Sequence, residues 1–430
     1  MSASERRLSG RTATFLVVAS MVGTGVFTTS GLLLDDLRSA PAVLLAWGLG
    51  GVLAMTGALS YAELVTALPK NGGEYALLGE IYHPAVGFAA GVVSFVVGFS
   101  APIAASAIAF GSYLHALVPA VPALPAALAL VALASAAHAF RVGAGSLVQD
   151  ALTAFKILLV VGFVALAGAG IDPARLAAGE RPLLEATLSP AFAVALIYVT
   201  FSYSGWNAAA YVAGELEDPH RALPLALIAG TALVTLLYLA VNVVFLGAAP
   251  AGSLRGVVEV GHVAAVSLLG PSAGAAMSAI IAFGLLATVG ALIMTGTRVL
   301  EAMGRDHGTL ALLARRATGG GPTASVLLQG AAAAVMVLTA SFEALLGYIG
   351  FTLSLFAALT VLGVFVLRWR RPGLHRPHRA WGYPVTPLVF VLLMLWMIVW
   401  SVAAQPLVTL AGAATILVAV ALWALLRQRS

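Results

Sequence analysis

One lysine in this sequence lies within a long apolar run, where a positive charge is energetically unfavourable. Lys156 lies near the middle of a mostly apolar run from 142 to 169, and Lys70 is the other lysine of a chain that otherwise uses arginine. A lysine can lose its proton when it is desolvated, whereas an arginine effectively cannot. A cation at the centre of a bilayer costs about 2.5–3.5 kcal/mol on insertion scales. Lys156 is therefore predicted to have a compensating partner or a task in the membrane.

Two further stretches place glycine and hydroxyl residues at membrane depth, and they read MVGTGV at 21–26 and FSYSGW at 201–206. A glycine inside a helix costs about 1 kcal/mol relative to alanine, so these stretches favour a break. The positive end of a half-helix suits a carboxylate, and free carbonyls suit an ammonium. Two broken helices can therefore hold a zwitterion such as an amino acid. The alternative is that the glycines only let neighbouring helices pack closely.

Composition sets the class of protein. The chain has 430 residues, of which 61% are hydrophobic and 9% are charged, with a mean hydropathy of +1.02. Many apolar runs reach the roughly 20 residues that span a bilayer, so the chain is predicted to be an all-α polytopic membrane protein. The formal charge of +5 is attributed to basic cytoplasmic loops rather than to nucleic-acid binding. The absence of cysteine excludes disulfides and thiolate metal sites, the histidines lack metal-ligand spacing, and no cofactor is expected.

Twelve transmembrane helices are predicted, which places both termini on one side of the membrane. The spans are 12–34, 41–67, 84–118, 123–140, 143–169, 190–213, 223–248, 272–300, 324–340, 343–368, 383–403 and 406–426. With both termini cytoplasmic, only four basic residues fall outside: Arg38, Arg175, Arg181 and Arg255. This strong positive-inside bias supports the orientation. The basic segment 368–379 is interpreted as a topology anchor, with contact to anionic lipid as the alternative.

Other polar residues receive simpler interpretations. Glu63 is expected to hydrogen-bond loop backbone at the cytoplasmic end of the second span, with a role in coupling as the alternative. Asn242 and Gln329 are expected to join helices through their side chains. No acid or base other than Lys156 lies deep in the membrane, which argues against an intramembrane hydrolase and predicts no catalytic residue.

Four motifs occur in order along the predicted spans: VGTGVF at 22–27, SYAELVTALPKNGGEYALLGEIYHP at 60–84, FSYSGWNAAAYVAGELEDPHRALP at 201–224 and TRVLEAMGRDHGTLA at 297–311. Together they resemble the amino acid–polyamine–organocation (APC) superfamily of transporters, and the third motif is most similar to the L-type amino acid transporter branch. The chain departs from the family pattern by one extra residue between Pro69 and the glycine pair and by His307 before Gly308.

The resemblance implies a leucine-transporter-type fold of two inverted five-helix repeats, with helices one and six broken. The whole chain, 1–430, would form a single transporter domain, with repeat one at about 12–169, repeat two at about 190–368 and additional helices at about 383–426. Spans one, three and six would line the substrate site through Met21, Val22, Gly23, Thr24, Gly25, Gly98, Ala101, Phe201, Ser202, Ser204 and Gly205.

The resemblance also implies roles within that site. The substrate carboxylate would meet backbone N–H groups near Thr24 and Gly25, and its ammonium would meet the carbonyls of Met21, Phe201 and Ser204. Phe201 matches the family's aromatic gate, and core or lipid packing is its alternative role.

Lys156 matches a family lysine whose ammonium occupies the place of a sodium ion in sodium-coupled relatives, which implies sodium independence. Two roles remain open for it. Lys156 either titrates and couples proton movement to transport, or stays charged as a fixed strut between spans one, five and eight.

These arguments predict a secondary transporter of amino acids in the inner membrane, working by alternating access. Neutral substrates are favoured because no acidic side chain is evident near either broken helix. The partners would be an amino acid, the lipid bilayer and, if Lys156 titrates, protons. The alternatives are an exchanger or exporter, a cationic amino acid or polyamine transporter, and a sensor that binds without significant flux.

Overall fold

The computed structural model of the chain describes residues 8–70, 72–140, 146–316 and 322–427, without the side chains of 140, 146–153 and 156. These residues form an all-helical bundle that contains no β-strand. The helices are α1 Gly10–Met21, α2 Gly25–Leu37, α3 Ala40–Ala67, α4 Glu74–Ile81, α5 Pro84–Val93, α6 Ala101–Leu117, α7 Ala123–Phe140, α8 Ser146–Ala167, α9 Pro173–Leu176, α10 Leu183–Thr187, α11 Pro190–Ser202, α12 Pro219–Ala248, α13 Ala251–Leu254, α14 Val260–Leu269, α15 Pro271–Asp306, α16 Thr323–Thr339, α17 Phe342–Arg370, α18 Val385–Ala404 and α19 Pro406–Arg427.

Four segments have other helical geometries. A π-helix, Ser94–Ser100, joins α5 to α6, and 3₁₀ helices form at Gly168–Gly170, Ala208–Glu215 and Gly308–Ala314. Proline lies in the first turn of many helices, where its missing N–H would have no partner within the helix. Ser9, Asp218 and Ser341 cap α1, α12 and α17 by accepting hydrogen bonds from backbone N–H groups.

Eight helical segments among the described residues are long and apolar enough to cross a membrane. They are Gly10–Leu37, Ala40–Ala67, Pro84–Leu117, Pro219–Ala248, Pro271–Asp306, Phe342–Arg370, Val385–Ala404 and Pro406–Arg427. Shorter apolar helices occur at Ala123–Ala139, Ile157–Gly170, Val260–Leu269 and Thr323–Thr339. The chain is a multi-pass membrane protein, as composition predicts.

Of the two helices that carry the glycine–hydroxyl stretches, α11 lies inside the bundle and α1 buries one face. α11 packs against α2, α3, α17 and α18, and its residues from Phe192 to Val199 are all buried. α1 packs chiefly against α12, which in turn packs along α3. By contrast, α19 exposes Leu407, Leu410 and Leu417, as a helix facing lipid would. The bundle thus surrounds the predicted site with buried apolar side chains.

Candidate functional site at the paired helix breaks

The first glycine–hydroxyl stretch is a true break in the helix. α1 ends at Met21 and α2 begins at Gly25, so residues 22–24 (the first break) are not helical. The N–H of Gly23 donates to the carbonyl of Met21 at 2.7 Å, which turns the chain tightly. The break predicted for this span is confirmed, and it leaves the start of α2 as a positive helix end inside the bundle.

The second stretch is broken in the same manner. α11 ends at Ser202, residues 203–207 (the second break) form turns, and the chain continues as the 3₁₀ helix Ala208–Glu215. Gly205 has φ +98°, a conformation that favours glycine. The N–H of Ser204 donates to the carbonyl of Phe201 at 2.9 Å. The second predicted break is therefore also confirmed.

The helix ends that flank the two breaks pack closely together. A Cβ added to Gly25 would lie 2.3–2.5 Å from atoms of Ser202, and one added to Gly205 would lie 2.7 Å from the backbone of Ser20. Thr29 and Ser202 are joined by a hydroxyl–hydroxyl hydrogen bond of 3.0 Å. The start of α2 therefore meets the end of α11, while the last turn of α1 meets the second break. Both close packing and a break are present, so the two interpretations of these glycines are compatible.

Tyr238 of α12 bridges the ends of both broken helices. Its hydroxyl reaches the carbonyl of Met21, and it lies 3.1 Å from the carbonyl of Ser202. The ring packs against Trp47 and Tyr203 at centroid distances of 5.4 and 5.0 Å. Sequence reasoning missed Tyr238, although a tyrosine in the middle of an apolar span is a signal, because a buried phenol requires a hydrogen-bond partner.

The first break is also tied to the third predicted span. The hydroxyls of Thr24 and Ser106 are 2.5 Å apart, and both side chains are buried. Ser106 was not predicted as a site residue. Gly98 and Ala101, which were predicted, lie in and just after the π-helix, and the neighbour of Gly98 outside its own segment is Leu353 of α17. A π-helix inside a longer helix often marks a functional site.

Most of the other predicted side chains are buried beside the breaks, and Ser204 is half-buried. Phe201 is 5% exposed and belongs to the main apolar core, and Met21 and Val22 are buried at the end of α1. The two proposed roles of Phe201, aromatic gate and core packing, are both compatible with this position.

A small apolar cavity lies beside the first break. Gly23 and Phe27 form one wall, α12 and α15 form others, and α8 contributes Leu159, Val160 and Phe163. The side chain of Lys156 lies outside the described part of the structure. Its backbone position is in α8, and at 3.6 residues per turn positions 156, 159, 160 and 163 share one face of a helix.

A carboxylate lies closer to the second break than the sequence indicated. Glu74, at the start of α4, accepts a hydrogen bond from the side-chain amide of Asn207, the last residue of that break. The prediction that no acidic side chain lies near either broken helix is therefore wrong for the second break. It failed because Glu74 is distant in sequence and reaches Asn207 only through the fold of the 68–83 connection.

Carboxylates and arginines are concentrated at one end of the bundle, which we call the basic end and define by Glu63, Lys70, Glu80, Glu301, Arg368, Arg371 and Arg376. Glu63 accepts two hydrogen bonds from Arg368, at 2.9 and 2.6 Å, and one from the backbone N–H of Ala380 at 2.7 Å. Arg376 lies 3.4 Å from the same carboxylate. The predicted bond from Glu63 to loop backbone is confirmed, but arginines of segment 368–379 supply the larger part of its environment.

Two other carboxylates complete the basic end. Glu301 pairs with Arg305 and Arg316 at 2.5 and 2.7 Å. Glu80 pairs with Lys70 and Arg371, each at 2.8 Å. These two cations hold the pKa of the Glu80 carboxyl below its usual value.

The profile of the Amino acid permease family matches residues 8–426, nearly the whole chain. The chain belongs to this family. It therefore lies in the APC superfamily, in the L-type amino acid transporter branch that the four motifs indicate, and it is not an enzyme.

Individual relatives agree with this placement. The chain is 27% identical to b(0,+)-type amino acid transporter 1 of Mus musculus over 408 residues, which cover 91% of this chain and 81% of the relative. It is 28% identical to Asc-type amino acid transporter 1 of Mus musculus, covering 94% and 78% of the two chains. It is also 28% identical to large neutral amino acids transporter small subunit 2 of Homo sapiens, covering 94% and 77%.

Across the described residues, no cluster of three or more His, Asp and Glu could hold a metal ion.

Proposed function

We propose that the protein is a sodium-independent secondary transporter of neutral L-amino acids that works by alternating access in the inner membrane. It would cross the bilayer twelve times as two inverted five-helix repeats followed by two additional helices, with both termini cytoplasmic. Eight spanning segments, the shorter apolar helices Ala123–Ala139, Ile157–Gly170 and Thr323–Thr339, and the break in the helices at the first and sixth positions support this arrangement among the described residues.

The observation that carries the proposal is the contact between the helix ends that flank the two breaks. These ends expose two kinds of group: N–H groups at the start of α2 and carbonyls at the ends of α1 and α11. The N–H groups suit a carboxylate and the carbonyls suit an ammonium. The ends of α2 and α11 are adjacent at Gly25 and Ser202, so one zwitterion could reach both kinds of group.

The carbonyl of Met21 already accepts hydrogen bonds from Gly23 and Tyr238, and the carbonyl of Phe201 accepts from Tyr203 and Ser204. A carbonyl oxygen has two lone pairs, so a substrate ammonium would have to share these oxygens with, or replace, one of the present donors. We expect Tyr238 to hold the two helix ends in register for that contact. Its ordering effect on these ends would reduce the entropy lost when the substrate binds.

Neutral substrates are favoured by the charges around the breaks. Glu74 is the carboxylate near the second break, and its oxygens already receive three hydrogen bonds from the protein. A distal ammonium would have to displace these donors. A cationic amino acid or polyamine is the alternative, and Glu74 is the side chain that would favour it.

Lys156 retains the two roles that its sequence position allows. If Lys156 titrates, it would release and rebind a proton during the transport cycle and so couple proton movement to substrate movement. If it is a fixed strut, the carbonyls of the first break keep it charged and hold spans one, five and eight together. Exchange or export would use the same fold.

Uptake into proteoliposomes tests the proposal. A labelled panel of neutral amino acids is offered with and without an inward proton gradient to the wild type, to Lys156→Ala and to the matched control Lys70→Ala. We expect saturable uptake by the wild type and by the control. Lys156 is the coupling residue if the gradient drives accumulation and Lys156→Ala loses only that acceleration. Lys156 is a fixed strut if the gradient has no effect and Lys156→Ala no longer binds the amino acid. Failure of the wild type to take up any member of the panel would overturn the neutral-substrate proposal, and binding without flux would indicate a sensor.

A further inference from the structure

Glu74 is a buried carboxylate that the transport scheme above does not use. It begins α4, and its side chain is 7% exposed. Gly72 and Gly73 precede it with φ +111° and +54°. A Cβ on Gly73 would lie 2.6 Å from the ring of Tyr211, so only glycine allows this segment to approach the 3₁₀ helix Ala208–Glu215 so closely.

Three neutral donors from two other elements surround the carboxylate. The hydroxyl of Tyr61 in α3 donates at 2.9 Å, the hydroxyl of Tyr211 donates at 2.5 Å, and the amide of Asn207 donates to the same oxygen as Tyr61. The backbone N–H of Gly72 also donates to the carbonyl of Tyr211 at 3.3 Å. One carboxylate thus joins α3, the start of α4 and the segment that follows the second break.

Glu74 differs in this respect from the carboxylates of the basic end. Glu63, Glu80 and Glu301 each pair with at least two cationic side chains. Within the described residues no Lys, Arg or His nitrogen lies within 4.0 Å of the Glu74 carboxylate. Hydrogen bonds from neutral groups can be exchanged for water without separating an ion pair, so they can be broken and remade at lower cost.

The segment that Glu74 holds depends on contacts of this kind. Residues 208–215 form a 3₁₀ helix with a kink at Val212, and such helices have poorer internal hydrogen bonds than α-helices. The side chain of Trp206, in the break itself, packs edge-on against the ring of Tyr61 with 4.7 Å between centroids. Tyr61 therefore supports both the break and the carboxylate.

We propose that Glu74 is a positioning residue that fastens the segment 207–215 against α3 and α4, and that this contact must release when the site opens toward the basic end. The inference rests on the proposed function, since opening toward each side in turn is what alternating access requires. Glu74 touches no substrate in this scheme. It acts by holding the second broken helix in its closed position.

A single reporter cysteine tests the proposal, because the natural chain has no cysteine. Ala208→Cys places a thiol at the start of the 3₁₀ helix, where the native side chain is half-buried. The rate of its reaction with a membrane-impermeant maleimide is measured on protein in nanodiscs. Removing all three hydrogen bonds with Glu74→Ala is expected to raise this rate about tenfold or more, and removing one with Tyr211→Phe about threefold.

Two comparisons separate this role from a general loss of packing. Tyr82→Phe removes a phenol hydrogen bond next to α4, to the carbonyl of Leu359, and should leave the rate unchanged. Glu74→Gln keeps an acceptor oxygen and should return the rate most of the way to that of the reporter alone.

The proposal is overturned if Glu74→Ala and Tyr211→Phe both react within about twofold of the reporter alone. If Glu74→Ala does not fold, Tyr211→Phe, which loses a single hydroxyl, decides. The readout does not depend on transport. Absence of amino acid uptake by the wild type would contradict the proposed function, and unchanged thiol reactivity would contradict only the role of Glu74.

Discussion

The centre of the bundle and its basic end use polar side chains in opposite ways. At the centre, Thr24, Thr29 and Tyr238 make hydrogen bonds between neutral hydroxyls and carbonyls. At the basic end, the buried carboxylates of Glu63 and Glu301 are held by arginines in short contacts, with the arginine largely buried at Glu63 and more than half exposed at Glu301. The hydroxyl and carbonyl groups at the centre can exchange hydrogen-bond partners at a low free-energy cost. Separating a buried ion pair costs more, because it leaves an uncompensated charge.

This difference indicates which region moves and which is fixed. A site that must bind and release a zwitterion needs carbonyls and N–H groups that exchange protein partners for substrate. A scaffold that must stay intact through the cycle benefits from pairs that do not exchange. Substitutions at the centre should therefore reduce transport with little loss of stability, and substitutions at the basic end should do the reverse.

The largest effect is expected from Gly205→Ala. The added Cβ would meet the backbone of Ser20, and φ +98° is strained for alanine, so the two breaks would be pushed apart. We expect the maximal uptake rate to fall by more than about tenfold, since small displacements of positioning groups have effects of this size. Uptake assays with purified protein measure it. Gly48→Ala is the control, because nothing lies within 4 Å of its added Cβ. Normal uptake by Gly205→Ala would show that contact between the breaks is not required.

Glu63→Gln should produce the largest loss of stability. It leaves Arg368, which is 25% exposed, and Arg376, which is 9% exposed, without their carboxylate. Because Arg368 keeps some contact with solvent, we expect a cost of about 2 kcal/mol, below the full range for a buried pair. Thermal melting in detergent measures the loss, and the KM for substrate should stay unchanged. Asp218→Asn, which removes an exposed pair with Arg221, is the control and should melt like the wild type. A changed KM together with normal melting would show that Glu63 contributes to substrate binding rather than to stability.

Tyr238→Phe tests the hydroxyl that joins the two helix ends. Without it, the carbonyls of Met21 and Ser202 lose a shared donor inside the bundle. We expect substrate affinity to fall about fivefold, the equivalent of one hydrogen bond of about 1 kcal/mol. Competition binding measures it. Tyr348→Phe, which loses a hydrogen bond to Thr415 at 2.7 Å away from the breaks, should bind as the wild type does. Equal substrate affinities for Tyr238→Phe and Tyr348→Phe would show that the Tyr238 hydroxyl does not contribute to the substrate site.

The smallest effect is expected from Glu80→Gln at the basic end. Lys70 and Arg371 lower the pKa of Glu80, so the ionised form is favoured by folding. Its stabilising contribution is present above the usual Glu pKa of about 4.3 and is lost as pH falls through the lowered pKa. Since the pair is partly exposed, the melting temperature of Glu80→Gln should be only slightly lower than that of the wild type at neutral pH. The two proteins should converge in acid, and a difference that persists there would contradict this assignment.

The breaks could be predicted from the sequence because glycine weakens a helix locally, whatever packs around it, and Gly23, Gly25 and Gly205 lie among hydroxyl residues at membrane depth. The joining role of Asn242 was also predictable, and its side chain does meet Ser30 of α2. What could not be predicted is which distant residues meet. Ser106 and Tyr238 reach the breaks, and Glu74 reaches Asn207, only because helices far apart in sequence pack together. For the same reason the sequence indicates only a topology anchor for the arginines of segment 368–379, since nothing local shows that Arg368 faces Glu63.

Equilibrium binding of a labelled neutral amino acid to the wild type and to Gly25→Ala tests the central claim most directly. Gly25 starts α2 and has no room for a Cβ against Ser202, so the variant separates the N–H groups of one break from the carbonyls of the other. The account predicts saturable binding by the wild type and by Gly48→Ala, and a loss of at least about tenfold in affinity for Gly25→Ala. Folded Gly25→Ala protein that binds the amino acid as tightly as the wild type would contradict a substrate site formed by the paired breaks.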